Sequence, residues 1–101
     1  PGSVIRVRTI GMLRMTDEAG EDTKLVAVPI SKVYPGYDRV EAVDDLPEHW
    51  RERIGHFFAH YKDLEKGKWV KIEGWRGANE AKAEILACVE RYKAAPEKPR
   101  F

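Results

Sequence analysis

A dense acidic turn between two strand-like runs constrains the fold of this chain more than any other feature. The turn, residues 17–22, carries four carboxylates in six positions. Residues 4–15 before it and residues 24–28 after it are rich in β-branched side chains, which predicts two strands paired as a hairpin. The first run is predicted to be one long strand, or two strands joined by a bend at Gly11, and Pro29 ends the strand after the turn.

A first helix is predicted beyond an irregular segment. Asp45 and Glu48 have the spacing of a capping box with Pro47 in the first turn, so we expect a helix from there to about Leu64, ended by Gly67. Apolar residues recur at steps of three and four and predict one buried face. That face comprises Leu46, Trp50, Ile54, Phe57, Phe58 and Tyr61.

A third strand around residues 69–75 and a second helix over residues 79–94 complete the predicted elements. The second helix should bury Ile85, Cys88, Val89 and Tyr92. Cys88 is the single cysteine of the sequence, so no internal disulfide forms, and we interpret it as a buried structural thiol. Residues 96–101 are predicted to be a disordered tail.

Composition excludes several classes of protein. The chain has 101 residues, 43% of them hydrophobic and 35% charged, which predicts one soluble globular domain. The net charge of +1 does not favour nucleic acid or an anionic membrane as a partner. The sequence contains no apolar run long enough to span a bilayer. The lone cysteine suits the reducing cytoplasm.

Crowded carboxylates such as those of the acidic turn repel one another unless water or a cation neutralises them. Mg²⁺ takes oxygen ligands from carboxylates and shares them with phosphates. A solvated turn is the alternative. The spacing is not that of an EF-hand, because the alternating Asp/Asn pattern and the closing Glu are missing.

Three segments, in order, resemble the first family of bacterial soluble inorganic pyrophosphatases. They are residues 14–22 (Arg-Met-Thr-Asp-Glu-Ala-Gly-Glu-Asp), residues 56–71 and the Glu-Gly-Trp of residues 73–75 before an Ala/Glu/Lys helix. The resemblance extends from residue 1 to about residue 93. The Asp-Gly-Asp-Pro-x-Asp signature of the family's N-terminal half does not occur. We therefore interpret residues 1–95 as the C-terminal portion of one pyrophosphatase domain.

The resemblance implies an α+β, mainly β fold. It would be part of a five-stranded barrel similar to OB-folds, with two flanking helices, and the barrel would be incomplete in this chain. The implied reaction is Mg²⁺-dependent hydrolysis of inorganic pyrophosphate to two phosphates by a metal-activated water. The implied assembly is a homohexamer.

The resemblance also implies roles for individual side chains. Asp17 and Asp22 match metal ligands, and Glu18 would support them. The implied phosphate-binding side chains are Lys24, Tyr61 and Lys62. No catalytic side chain is assigned within this chain. The alternatives are a solvated turn for the carboxylates, a surface role for Lys24 and core packing for Tyr61.

Two histidines four residues apart, His56 and His60, have a spacing that can bind zinc on a helix. The glutamate of a His-Glu-x-x-His motif is absent, which argues against a zinc hydrolase. In the family the matching histidines, together with the aspartate matching Asp63, lie at subunit contacts. The resemblance therefore implies a contact between subunits here.

Two rivals to an active enzyme remain open. Without the other half of the barrel, the chain is expected to be inactive, and it would self-associate or exchange strands through open edges. The alternation of Lys66, Lys68 and Lys71 with Trp69 would also suit an OB-like nucleic-acid binder. An ordinary sheet with one solvated face explains that alternation equally, and we prefer it because the chain has no basic excess.

Overall fold

A computed structural model describes residues 2–97 of the chain. An antiparallel sheet and two helices form this part of the chain. The elements are β1 (Val7–Asp17), β2 (Gly20–Glu21), β3 (Lys24–Pro29), α1 (Glu48–His60), β4 (Val70–Gly77) and α2 (Ala78–Ala94), with short 3₁₀ helices at Pro35–Tyr37 and Val43–Asp45.

Strand β1 organises the sheet, because it is long enough to pair with every other strand. Along one edge it pairs with β3, from Val7 opposite Pro29 to Leu13 opposite Lys24. Its C-terminal half pairs with β4, ending with Asp17 opposite Val70. The register with β3 shifts between Thr9 and Gly11, but β1 continues through Gly11 as one strand, which is the first of the two predicted alternatives. The long strand thus carries the acidic turn at its far end.

The sheet of residues 2–97 does not close on itself, since β3 and β4 each pair only with β1. Two helices flank it. The family resemblance implies an incomplete OB-like barrel with two flanking helices, and the open sheet and the two helices confirm this expectation. Within the same residues, neither helix combines the length and the hydropathy that crossing a membrane would require.

The core lies between β1 and the segment that precedes α1. Ile10 and Leu13 have no exposed surface, and Met15 is 1% exposed. Ile10 packs in a cluster with Val28, Val43 and Leu46. Burying side chains of this size contributes about 1.5–3 kcal/mol each. The cluster holds β1 in place and so fixes the position of the turn at its end.

Several predicted boundaries need correction. Strand β1 begins at Val7, not at position 4, and reaches Asp17. The capping box is wrong: the Asp45 carboxylate accepts hydrogen bonds from the N–H groups of Glu41 and Ala42, at 2.9 and 3.1 Å. Because those donors precede Asp45, it closes a 3₁₀ turn instead of beginning the helix. Helix α1 then starts at Glu48 and ends at His60, before Gly67.

Of the predicted buried faces of the helices, Leu46 is confirmed as buried, but several other members are exposed. Trp50, Phe57 and Tyr61 of the first face are 40%, 57% and 40% exposed. On the second helix Cys88 is exposed, so it is not a buried structural thiol. Periodicity places these residues on one face, but within residues 2–97 little of the chain covers that face. Residues 98–101 of the predicted disordered tail lie outside the described residues.

Candidate functional site

The acidic turn is a tight two-residue connection between β1 and β2. Asp17 pairs with Gly20 across it. Gly20 has φ +116°, a left-handed conformation that favours glycine. The Ala19 N–H donates to Asp17 Oδ1 at 2.9 Å, which locks the carboxylate against its own turn. This hydrogen bond within the turn helps to orient the Asp17 side chain.

Lys62, just beyond the end of α1, reaches this turn from 45 residues away. Its Nζ donates to Asp17 Oδ2 at 2.8 Å and to Glu18 Oε1 at 3.3 Å. The other oxygen of Glu18 accepts the Trp69 N–H at 3.4 Å. Asp17, Glu18 and Lys62 form the Lys62 cluster. It links the turn to both ends of the segment between α1 and β4.

The side chains of the Lys62 cluster are mostly sheltered from solvent, and each one shifts the pKa of another. The side chains of Lys62 and Asp17 are 14% and 10% exposed. The hydrogen bond from Lys62, and then the one from Ala19, lowers the pKa of Asp17. The pKa of Glu18 is lowered first by its own backbone N–H and further by Lys62. The hydrogen bond to Asp17 raises the pKa of Lys62 above its ordinary range. All three groups are charged at neutral pH.

A second ion pair lies beside the first. Lys24 Nζ is 3.0 Å from Asp22 Oδ1, and Asp22 is tied to β1 because its N–H donates to the Met15 carbonyl at 2.9 Å. Lys24 Nζ also lies 5.4 Å from the centre of the Phe58 ring, within the range of a cation–π contact. This pair is more open than the Lys62 cluster, with 35% of the lysine and 27% of the aspartate side chain exposed.

Tyr61 lies at the end of α1, next to Lys62. Its ring stacks on Phe57 with centroids 5.6 Å apart, and the Lys62 ammonium lies 5.5 Å from the ring centre. Although Tyr61 continues the apolar stripe of α1, it is 40% exposed. The ring is thus held by aromatic neighbours beside the charged cluster.

The histidines lie on α1 and are not in the Lys62 cluster. The His56 and His60 ring centres are 4.5 Å apart. His60 Nδ1 is 2.9 Å from Asp63 Oδ2, and both of these side chains are more than half exposed. The three residues form an exposed group at the end of the helix.

The carboxylates do not by themselves make a metal centre. Within residues 2–97, no three His, Cys, Asp or Glu side chains are grouped so that they could hold an ion. Asp17 and Asp22 each face a different lysine instead. The donor set therefore does not fit a divalent ion on this part of the chain alone. Chemically, the arrangement offers carboxylate oxygens for a cation and ammonium groups for an anion.

A cleft beside the turn includes residues that the sequence reasoning did not connect with the site. It has a volume of about 320 Å³ and lies between Glu21–Thr23 and α2. Arg91 Nη2 donates to Glu84 Oε1 at 2.7 Å and to Cys88 Sγ at 2.9 Å in its wall. The i, i+4 and i+7 spacing of these residues is the signal that would have placed them together.

Strand pairing and side-chain chemistry define an α+β protein with a site of mixed charge at the end of its longest strand. The chain belongs to the inorganic pyrophosphatase family, whose model matches residues 1–93. The family inferred from the three sequence segments is thereby confirmed.

Individual relatives agree with this assignment. The inorganic pyrophosphatase of Escherichia coli (strain K12) is 66% identical over 93 residues, which are 92% of this chain and 53% of that protein. That of Xanthomonas campestris pv. campestris is 61% identical over 94 residues, 93% of this chain and 53% of that protein. The solved Helicobacter pylori inorganic pyrophosphatase superposes with a TM-score of 0.88 at 42% identity, over 92% of this chain and 55% of that one. The chain thus spans about half the length of the curated relatives it matches.

Proposed function

We propose that a full-length protein carrying this sequence is a cytoplasmic enzyme that hydrolyses inorganic pyrophosphate to two phosphates and requires Mg²⁺. One observation carries the proposal: Lys62 joins the acidic turn from 45 residues away, at 2.8 Å from Asp17. Two of the three segments that support the family resemblance, residues 14–22 and 56–71, therefore meet at one place. Membership of the pyrophosphatase family supplies the reaction.

Pyrophosphate is a compact polyanion, so its binding depends on neutralising oxygen charge. We assign that role to the ammonium groups of Lys24 and Lys62 and to the Tyr61 hydroxyl, which can donate to a phosphate oxygen. Lys24 and Lys62 are both within reach of the turn, since each contacts one of its carboxylates. Glu18 holds Lys62 and the Trp69 amide in place.

Asp17 and Asp22 are our candidates for the metal ligands of this chain. A bound Mg²⁺ would supply charge neutralisation and an activated water. Because residues 2–97 hold no group of three metal-ligating side chains, further ligands must come from outside them, from other protein groups or the substrate. We therefore propose that the 101-residue chain has no turnover by itself.

Self-association is the second candidate function for the isolated chain. Strands β3 and β4 each present an edge that is unpaired within residues 2–97. Phe57 and Trp50 are 57% and 40% exposed, and Trp50 lines an apolar groove between β3 and α1. Open edges and exposed apolar side chains favour association of copies. In the full-length protein we propose a homohexamer, with His56, His60 and Asp63 at a subunit contact.

We do not propose nucleic acid as a partner. The lysines around Trp69 were the candidate nucleic-acid-binding residues. Lys68 Nζ lies 3.4 Å from a carboxylate oxygen of Glu65, and the net charge of the chain is only +1. Balanced net charge and the ion pair of Lys68 leave little of the electrostatic attraction that such binding needs.

Phosphate release from pyrophosphate tests the proposal. Full-length protein should release phosphate with Mg²⁺ and none with EDTA, whereas the 101-residue chain should be inactive in both.

Asp22→Asn in the full-length protein should lower kcat/KM about a hundredfold or more if the carboxylate holds metal. Asp38→Asn, at an exposed aspartate away from the turn, is the matched control. Near-normal turnover of Asp22→Asn would contradict the ligand assignment.

Sedimentation velocity of the 101-residue chain tests the second candidate. Dimers or larger species that grow with concentration, without phosphate release, would support it. A monomer at all concentrations would exclude it.

A further inference from the structure

We infer that the free edge of β3 is the docking surface for a second copy of this chain. The β3 strands of the two copies would pair antiparallel, with the two Ala27 residues opposite each other. The inference rests on the self-association proposed above for the isolated chain, and it assigns that association to one edge and one register.

A groove runs along the edge of β3 and not across its face. Its two adjoining stretches, of about 520 and 400 Å³, are together lined by every residue of β3 from Lys24 to Pro29. Successive side chains of a strand point to opposite faces, so a groove on one face would contact only alternate residues. Ile54 of α1 lines both stretches and forms the opposite wall. The groove therefore lies where a further strand would pair, about 4.8 Å from β3.

The odd-numbered residues of β3 direct their backbone groups into this groove. The N–H groups of Asp22 and Ile30, which flank β3, donate at 2.9 and 3.2 Å to carbonyl oxygens of β1 and of the residue just before it. Even-numbered residues therefore bond to β1, and in an antiparallel ladder the residues between them point away from it. The N–H and C=O groups of Leu25 and Ala27 thus face the groove, as does the C=O of Pro29, which has no N–H.

A two-fold axis at Ala27 uses these groups symmetrically. The two Ala27 residues exchange N–H···O bonds, and each Leu25 N–H faces a Pro29 carbonyl. On the other face of the extended sheet, Val26 of each copy lies opposite Val28 of the other. The Ala27 side chains are small and exposed, so they do not obstruct the close approach of the strands at the axis.

Charge explains why the occupant is another β3. Residues 25–30 carry no charge, and Lys24, the charged residue among those lining the two stretches, is 3.0 Å from Asp22. A charged segment would bury its charge here without a partner, whereas β3 brings only apolar side chains. The net charge of +1 also leaves little repulsion between copies. Pairing would cover apolar surface that is now exposed, including Leu25 at 48% and Trp50 at 40%.

The free edge of β4 is less suited to the same pairing. The register of β4 with β1 is shifted, and Gly74 within the strand has φ +122°. A bulge of this kind bends a strand and interrupts the row of backbone groups at its edge. The strand also carries Lys71, Glu73 and Arg76, whereas β3 is uncharged beyond Lys24.

Sedimentation velocity of charge variants of the 101-residue chain tests the inference. Ala27→Glu should weaken dimerisation about fivefold or more, because two like charges would lie directly opposite each other. Ala27→Lys should weaken it similarly. An equimolar mixture of the two variants should restore dimers, since opposite charges then face each other. Ala83→Glu, at an exposed alanine of α2, is the matched control for the change in charge and should leave dimerisation unchanged.

Equal dimerisation of Ala27→Glu and Ala83→Glu would overturn the inference while leaving association through another surface. A mixture that dimerises no better than either Ala27 variant alone would refute the register. A monomer at all concentrations would refute both the inference and the self-association on which it rests.

If Ala27→Glu loses the circular dichroism spectrum of the unmodified chain, amide hydrogen exchange of the unmodified chain decides. Exchange of the Ala27 N–H should slow as the concentration of the chain rises, and a rate independent of concentration would refute the pairing. These measurements involve no pyrophosphate, so inactivity of the full-length protein would refute the proposed hydrolysis alone.

Discussion

Replacing Gly11 by alanine should destabilise the chain, because the structure leaves no room for a methyl group there. Gly11 lies within β1, opposite Val26 on one side and Gly77 on the other. A Cβ at Gly11 would lie 2.7 Å from Val43 Cγ1 and 2.8 Å from the Arg76 carbonyl oxygen. The second contact is with backbone, which cannot rotate away as a side chain can.

The expected magnitude combines two opposing effects. Overpacking a filled core costs about 1–3 kcal/mol. Alanine also restricts the unfolded chain more than glycine does, which stabilises the folded state by about 0.4–1 kcal/mol. The middle values of these two ranges leave a fall of about 1.3 kcal/mol in the free energy of unfolding, and each 1 kcal/mol lowers Tm by roughly 4–8 °C for a domain of this size.

Urea unfolding followed by tryptophan fluorescence measures this change, because Trp75 packs against the core that contains Val43. Gly55→Ala, in α1, is the matched control: it has the same chemistry, and a Cβ at Gly55 would meet nothing within 4 Å. That variant should be stabilised by about 1 kcal/mol, since alanine favours a helix interior over glycine. A Gly11→Ala chain with a midpoint at or above that of the unmodified chain would refute the packing argument.

Two further predictions concern titratable side chains. The hydrogen bonds from Glu41 and Ala42 lower the pKa of Asp45 below its ordinary value of 3.8. The unfolded chain thus takes up this proton at a higher pH than the folded chain. The stabilisation by ionised Asp45 is complete above pH 3.8 and is lost as the pH falls through the lower folded pKa. The difference in unfolding free energy between the unmodified chain and Asp45→Ala should accordingly shrink in acid, and a difference that is constant from pH 6 to pH 2 would contradict this. Cys88 is exposed in the folded chain, so Ellman's reagent should titrate one thiol without denaturant, and a thiol that reacts only in urea would show that it is buried.

Local patterns were sufficient for the hairpin and for the second helix. The acidic turn and the end of β3 at Pro29 depend on residues a few positions apart. The second helix was predicted over residues 79–94 and forms from Ala78 to Ala94. The residue preferences of turns and the periodicity of helices act between residues that are close in the sequence. They can therefore be predicted from the sequence alone.

The predicted capping box is wrong because other backbone groups nearby in the sequence compete for the Asp45 carboxylate. Asp45 and Glu48 have the required spacing, but the N–H groups of Glu41 and Ala42 lie closer to the Asp45 carboxylate in the folded chain. A side chain that can bond to several nearby backbone groups favours a turn as readily as a cap. Spacing alone does not decide between them.

The family and the candidate residues followed from the sequence, because three ordered segments carried the resemblance. Periodicity also determined which residues share a helix face. It does not determine whether anything covers that face, and exposed Phe57 and Cys88 show the difference. Burial is a property of neighbours supplied from elsewhere in the chain.

What only the tertiary structure decided is the partner of each charge. Lys62 and Asp17 are 45 residues apart, and no local rule joins them. The sequence identifies both as candidate site residues, Lys62 for phosphate and Asp17 for metal. It does not show that the two side chains neutralise each other. That contact exists because packing brings the end of α1 beside the end of β1, where two sheltered opposite charges are more stable paired than apart.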